Sequence, residues 1–217
     1  KGSKKKNAKY FPSWAEEVFY RSVHKKIDKF PLDKNKFNIF FTGNVGDAQD
    51  FDTVLDAFAI LQAENINTYL NIVGEGSKIL WLKNTIKIKK INNIKIHGKY
   101  DLEYMPYIYS LSDALLVSLK DTNLFSYTIP AKIQTYLLSK KPIIGMIAGE
   151  SANIIKEAKC GLFSMPGNKH DLVNNIKKIV SLSHNERDKL GKNGLVYSNK
   201  NFLRSRLLNE LSDILET

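Results

Sequence analysis

Four short stretches of this 217-residue chain combine glycine, lysine and amide or hydroxyl side chains in ways that could hold an anion. The first is Gly43-Asn44-Val45-Gly46, directly after the apolar run Phe37-Asn38-Ile39-Phe40-Phe41. Glycines there let backbone N–H groups approach an anion at the start of the next helix. A plain turn explains the same residues equally well. No G-x-G-x-x-G spacing and no following GK[ST] are present, so dinucleotide and Walker-type readings are both poor. The second is Gly74-Glu75-Gly76-Ser77-Lys78, where Ser77 caps a helix. Lys78 in its first turn opposes the helix dipole, a conflict that a bound phosphate would resolve. A solvated surface lysine is the alternative. The third is His97-Gly98-Lys99-Tyr100. A lone histidine at a strand end is more often structural than catalytic, while Gly98 permits close backbone approach to a flat base edge.

The fourth stretch is the richest: Ser126-Tyr127-Thr128-Ile129-Pro130-Ala131-Lys132-Ile133-Gln134-Thr135-Tyr136. A helix starting at Pro130 points its free N–H groups back toward the preceding loop, with Lys132 in its first turn and Gln134 and Thr135 one turn in. Free N–H groups plus a lysine make an anion site. There is no Ser-His-Asp order, no D-x-D pair suited to a metal–diphosphate complex and no convincing carboxylate pair. These features hold a phosphorylated ligand and supply no base. No metal ligand set and no cofactor are expected.

The elements that must position these loops follow from apolar periodicity. Short apolar runs at 37–41, 69–73, 94–97, 114–118, 143–147 and 162–164 read as strands. Amphipathic stretches between them read as helices: Asp50 caps one carrying Phe51, Val54, Leu55, Phe58 and Leu61, and others cover about 79–86, 101–110, 130–139, 152–159 and 171–181. Six strands each followed by a helix imply an α/β, Rossmann-like, doubly wound parallel sheet. Ligands bind beyond the C-terminal ends of such strands, where all four stretches fall. Residues 1–36 lack a strand partner and are expected to be a linker. Residues 37–199 form the sheet domain. Residues 200–217 form a C-terminal helix whose apolar stripe, including Phe202, Leu207, Leu208, Leu211 and Leu215, packs on this domain or on a partner.

Charge and cysteine content narrow the classes further. The net charge of +11 could mark attraction to anions, but the lysines are scattered and no aromatics interleave with them as a stacking platform requires. Nucleic-acid binding is therefore not expected. A single cysteine, Cys160, excludes an internal disulfide and favours a reducing compartment. No apolar run reaches the roughly 20 residues of a membrane span, and no h-region follows the opening lysines.

At these loops the chain resembles the C-terminal, donor-binding domain of GT-B glycosyltransferases of the large retaining family numbered four. Phe40-Phe41-Thr42-Gly43-Asn44-Val45-Gly46 with Ala48-Gln49 is similar to its opening G-N-x-G, A-Q segment, and Ile72-Val73-Gly74-Glu75-Gly76 to its "hVGxG". Tyr104-Met105-Pro106 with the stretch from Ser112 to Leu119, and Thr128-Ile129-Pro130-Ala131-Lys132-Ile133-Gln134 with Lys141-Pro142-Ile143-Ile144, resemble its later motifs. Residues 10–20 look like its "lPNWade" junction, where the acceptor domain hands over to the donor domain, so on this resemblance the chain is a fragment lacking an N-terminal domain.

The resemblance implies transfer of a sugar from a nucleoside diphosphate, with UDP expected, to a glycan or lipid-linked acceptor in cell-surface polysaccharide synthesis. It implies a cytoplasmic enzyme, with peripheral membrane association of the full-length protein. Gly43, Asn44, Gly46, Lys78 and Lys132 would hold the diphosphate. Gly98, Lys99, Tyr100, Gln134 and Thr135 would contact base and ribose, and Ser126, Tyr127, Thr128 and Ile129 the sugar. Many members carry two glutamates across the fourth loop, but Tyr127 and Thr135 stand at those positions here. A non-catalytic nucleotide-binding module is the competing expectation.

Overall fold

A computed structural model describes residues 11–21, 25–122 and 128–216. Six strands build one sheet: β1 (Phe37–Thr42), β2 (Thr68–Val73), β3 (Ile94–Gly98), β4 (Ala114–Ser118), β5 (Ile143–Met146) and β6 (Gly161–Ser164). Their order is β3-β2-β1-β4-β5-β6, every neighbouring pair is parallel, and the doubly wound fold expected from the alternation is present. The helices are α1 (Phe51–Ala63), α2 (Ile79–Ile88), α3 (Met105–Ser110), α4 (Ala131–Leu138), α5 (Gly149–Ala158), α6 (Lys169–Ser181), α7 (His184–Asn201) and α8 (Arg204–Leu215).

Alternation along each strand divides the core between two faces. Ile39 and Phe41 of β1 pack with Val54, Leu55 and Phe58 of α1 and with Leu172 and Ile176 of α6. Phe40 between them faces Ile108, Ile133, Tyr136, Ile155 and Phe202 on the other side. Full burial of six such side chains contributes roughly 10–15 kcal/mol before chain entropy is counted.

The segment before β1 is more than a tether. Its short 3-10 turn, Glu17–Tyr20, lays Phe19 on the Tyr109 ring at 5.5 Å, and Phe30 packs on Phe40 and His97. Tyr20 donates to the Phe202 carbonyl at 3.4 Å and Arg204 lies over Trp14, so the segment before β1 meets the start of α8 on one face. Phe202 and Leu207 are buried there, while Leu208 and Leu215 stay exposed.

Several local expectations change. Asp50 stands before α1 in left-handed backbone, and its carboxylate makes no capping bond. Helix α2 begins at Ile79 with Lys78 rather than Ser77 at the cap, because residues 76–79 close a turn through the Ile79 N–H to the Gly76 carbonyl. Helix α5 starts at Gly149, earlier than the 152–159 pattern indicates. Helix α7 was not anticipated at all; Ser183 and Glu186 cap it reciprocally.

Candidate functional site

The sheet order reverses direction of progress between β1 and β4, and the loops leaving those strands open a cleft. A cavity of about 590 Å³ lies there, a size suited to a nucleotide-sized ligand. Gly43 and Asn44 after β1, Lys99 and Tyr100 after β3, and Lys132 and Thr135 of α4 all line it. So do Pro130 and Ala131 at the start of α4 and the apolar Leu102 and Met105.

Lys132 is the unusual member. Its ammonium nitrogen is fully buried and has no hydrogen-bond partner among the described residues. It lies 3.8 Å above the Phe41 ring centroid, and a Cβ on Gly43 would sit 3.7 Å from it. Burial pushes the amine down to about 7. A cation–π contact offsets part of the desolvation, and the remainder calls for an anion. Ala131 and Lys132 also present N–H groups at the helix start, where the dipole favours negative charge.

The first loop contributes less than its glycines imply. Gly43 N–H donates to the Val73 carbonyl and Val45 N–H to the Glu75 carbonyl. Gly46 N–H is taken by Gln49 Oε1 at 2.9 Å, so Gly46 is closed to a ligand. The glycine loop after β2 serves as a support for the first loop. A Cβ on Gly74 would lie 1.9 Å from the Gly43 carbonyl oxygen, and Lys78 N–H donates to the Val45 carbonyl.

Lys78 does not reach the main cavity. It pairs with Asp47 at 2.9 Å beside a separate hollow of about 90 Å³ that Gly46 also lines. The helix-dipole conflict is met by that carboxylate.

The remaining expected residues divide similarly. Gly98 accepts the Gly74 N–H through its carbonyl and leaves open space where a side chain would stand. Lys99 pairs with Glu75 at 2.7 Å. Gln134 is buried; with its nitrogen turned toward the helix start, it donates to the Ala131 carbonyl at 2.7 Å and accepts from Ser13 Oγ at 3.0 Å. It therefore clasps the N-terminal segment to α4. The Thr128 carbonyl accepts from Ser151, and Ile129 packs into the core. Ser126 and Tyr127 lie outside the described residues. His97 donates across the sheet to Asn71, itself bonded to Asn38, and burial pushes it down to about 4, a neutral structural residue.

The floor of the cleft was not legible beforehand. Thr42, Tyr109, Tyr136 and Thr135 form a buried hydroxyl cluster with separations of 3.1–3.3 Å. Glu16 and Phe19, assigned to the linker from sequence, line the same cavity. Only their place in the junction-like stretch pointed toward them.

A model of the family described as glycosyl transferases group 1 matches residues 22–196, which include every strand. The chain belongs to that family. Solved structures agree with the group 1 fold. One is a mutant of S. aureus TarM in complex with fondaparinux, alpha-GlcNAc-glycerol and UDP. It has TM-score 0.70 and 14% identity, with 91% of this chain and 38% of that chain covered. Anabaena HepE in complex with UDP and glucose has TM-score 0.70 at 16% identity, over 84% of this chain and 49% of that one. The C-terminal domain of the group 1 protein LpcC from Francisella tularensis has TM-score 0.62 at 17% identity, covering 77% and 87%. The chain thus spans less than half of TarM and HepE and most of the LpcC domain. A search of curated proteins returns no match. Among the described residues no three His, Cys, Asp or Glu side chains group as a metal site, and no helix is long and apolar enough to cross a membrane.

Proposed function

We propose that this chain is the donor-binding domain of a retaining glycosyltransferase that takes a UDP-sugar. Lys132 carries the reading: an ammonium that is buried and, among the described residues, unpartnered, on the wall of a nucleotide-sized cavity. The pyrophosphate would lie against Lys132, the Ala131 and Lys132 N–H groups and the loop at Gly43 and Asn44. Negative charge grows on the diphosphate as the glycosidic bond to the sugar breaks, so a fixed cation and helix N–H groups aimed there lower the barrier. Tyr100, Leu102 and Met105 offer a flat apolar wall for the base. Residues 126–129 would flank the sugar.

The UDP complexes of TarM and HepE support the choice of nucleotide. Residues 37–199 would form the donor domain, with 1–36 and the helix in 200–217 joining it to an acceptor-binding partner domain. The acceptor would be a glycan or lipid-linked sugar in cell-surface polysaccharide synthesis, on the cytoplasmic side. Thr135 in place of a carboxylate favours a second reading, nucleotide binding without transfer.

Calorimetric titration with UDP, GDP and TDP tests the first claim. Saturable binding strongest for UDP is expected; no binding to any of them by the folded chain would sink it. Incubation with UDP-sugars and a glycan acceptor, beside an acceptor domain, separates transfer from binding alone.

A further inference from the structure

The cavity carries two carboxylates, and one is already neutralised. Glu75 pairs with Lys99 at 2.7 Å. Glu16 lines the same cavity and is exposed, and among the described residues its carboxylate has no hydrogen-bond or ion-pair partner.

Its backbone is nevertheless pinned on both sides. Ala15 and Val18 are buried, Ser13 bonds Gln134 of α4, and Phe19 stacks on Tyr109. Phe19, three residues on, stacks on Tyr109, and Glu16 and Tyr109 line the same cavity. Burial pushes the Tyr109 phenol up, and the Glu16 charge adds to that rise.

A free carboxylate repels a pyrophosphate, so it cannot mark the phosphate end of the cleft. It marks the part where the ligand offers O–H or N–H donors. Tyr109 meets Thr135 at 3.3 Å, and Thr135 follows Lys132 by about 4.5 Å of helix rise. Glu16 shares the cavity with Thr135 and Lys132 and enters it from the N-terminal segment rather than from the helix start. In a nucleoside diphosphate the group adjoining the phosphates is the ribose, whose vicinal hydroxyls suit the two oxygens of one carboxylate.

Resting on the nucleotide reading above, we infer that Glu16 accepts both hydroxyls of the ribose diol. Phe19 and the Ser13–Gln134 clasp then act as positioning contacts for it.

A binding cycle with UDP and 2′,3′-dideoxy-UDP tests this on the 217-residue chain. UDP has no transferred sugar, so any dependence on hydroxyls belongs to the ribose. Wild type should favour UDP by about tenfold or more, the scale of hydrogen bonds to a charged acceptor. Glu16→Ala should lose that preference, with both ligands within about twofold of each other, and Glu16→Gln should keep a reduced one. Preserved discrimination in Glu16→Ala overturns the assignment and leaves nucleotide binding standing. A loss confined to GDP also overturns it, since the carboxylate would then read a base. Absence of UDP binding by the folded wild type overturns both readings together.

Discussion

Lys132 and Lys78 occupy similar places in the chain and opposite places in energy. Each follows a strand and loop, Lys132 as the second residue of α4 and Lys78 as the residue capping α2. Each therefore meets the unfavourable end of a helix dipole. Lys78 escapes the conflict through Asp47 at 2.9 Å, with two-fifths of its side chain still in solvent. Lys132 has no such relief: its nitrogen is buried, unpaired among the described residues, and held over Phe41. Folding alone does not favour that arrangement, because an unpaired buried charge costs several kcal/mol or forces deprotonation. A lysine at a helix start does not by itself mark a phosphate site. A lysine that the fold leaves unsatisfied does.

Replacing Lys132 with Met breaks the comparison most directly. Affinity for UDP should fall on the order of 100-fold, the scale of removing one partner from a desolvated ion pair. Stability of the ligand-free chain should rise by about 1–3 kcal/mol, since a buried amine is exchanged for an apolar side chain of similar length. Titration calorimetry and urea unfolding read the two changes separately. A Lys132→Met chain that binds normally and unfolds more easily would reverse the interpretation.

Next in size is the support beneath the first loop. Gly74→Ala places a methyl 1.9 Å from the Gly43 carbonyl oxygen, at a φ of +155°. The backbone must move, and a loss of about 2–4 kcal/mol is expected, with UDP binding lost as Gly43 shifts away from Lys132. Gly98→Ala is the control, because nothing lies within 4 Å of its new methyl. Its φ of +77° should cost about 1–2 kcal/mol of backbone strain alone. Equal melting temperatures for the two variants would argue against the interlocked loops.

The contrast also explains what could be read from the sequence. The strands, the helices between them and the two-faced core follow from apolar runs and period-3.6 spacing, which the chain keeps from Phe37 to Ser181. Helix α7 has no such stripe. Gly191 replaces side-chain packing with backbone contact, since a Cβ there would lie 1.9 Å from the Lys140 carbonyl oxygen. Lys132 was found because a helix-start lysine after Pro130 is a local signal. Lys78 gave the same signal, and its partner Asp47 lies across a loop contact that no spacing encodes. Glu16 and Tyr109 enter the cleft from distant parts of the chain, so their meeting depends on tertiary packing.

A smaller effect sharpens the Lys132 half of the comparison. With the free-state amine near 7, Lys132 is largely neutral at pH 8 and must take up a proton when a diphosphate binds. The sign follows from the bound anion raising the amine above its free-state value. Between pH 7 and 9 affinity should fall by up to about tenfold per unit, levelling below 7 where the amine is already charged. Calorimetry in buffers of different ionisation enthalpy should show close to one proton taken up at pH 8.5. Lys132→Met should abolish it. Uptake unchanged in that variant would move the titrating group elsewhere.

The smallest expected effect belongs to Lys78. Its ion pair is exposed and screened by solvent, so Lys78→Met should leave stability nearly unchanged. UDP affinity should change by less than about threefold at moderate salt, since a distant exposed charge is screened within about 10 Å. Pairing the two substitutions completes the test: independent sites give additive losses. A binding loss from Lys78→Met that rivals Lys132→Met would mean that Asp47 releases Lys78 to the ligand. The difference between the two lysines would then belong to the empty cleft and not to the complex.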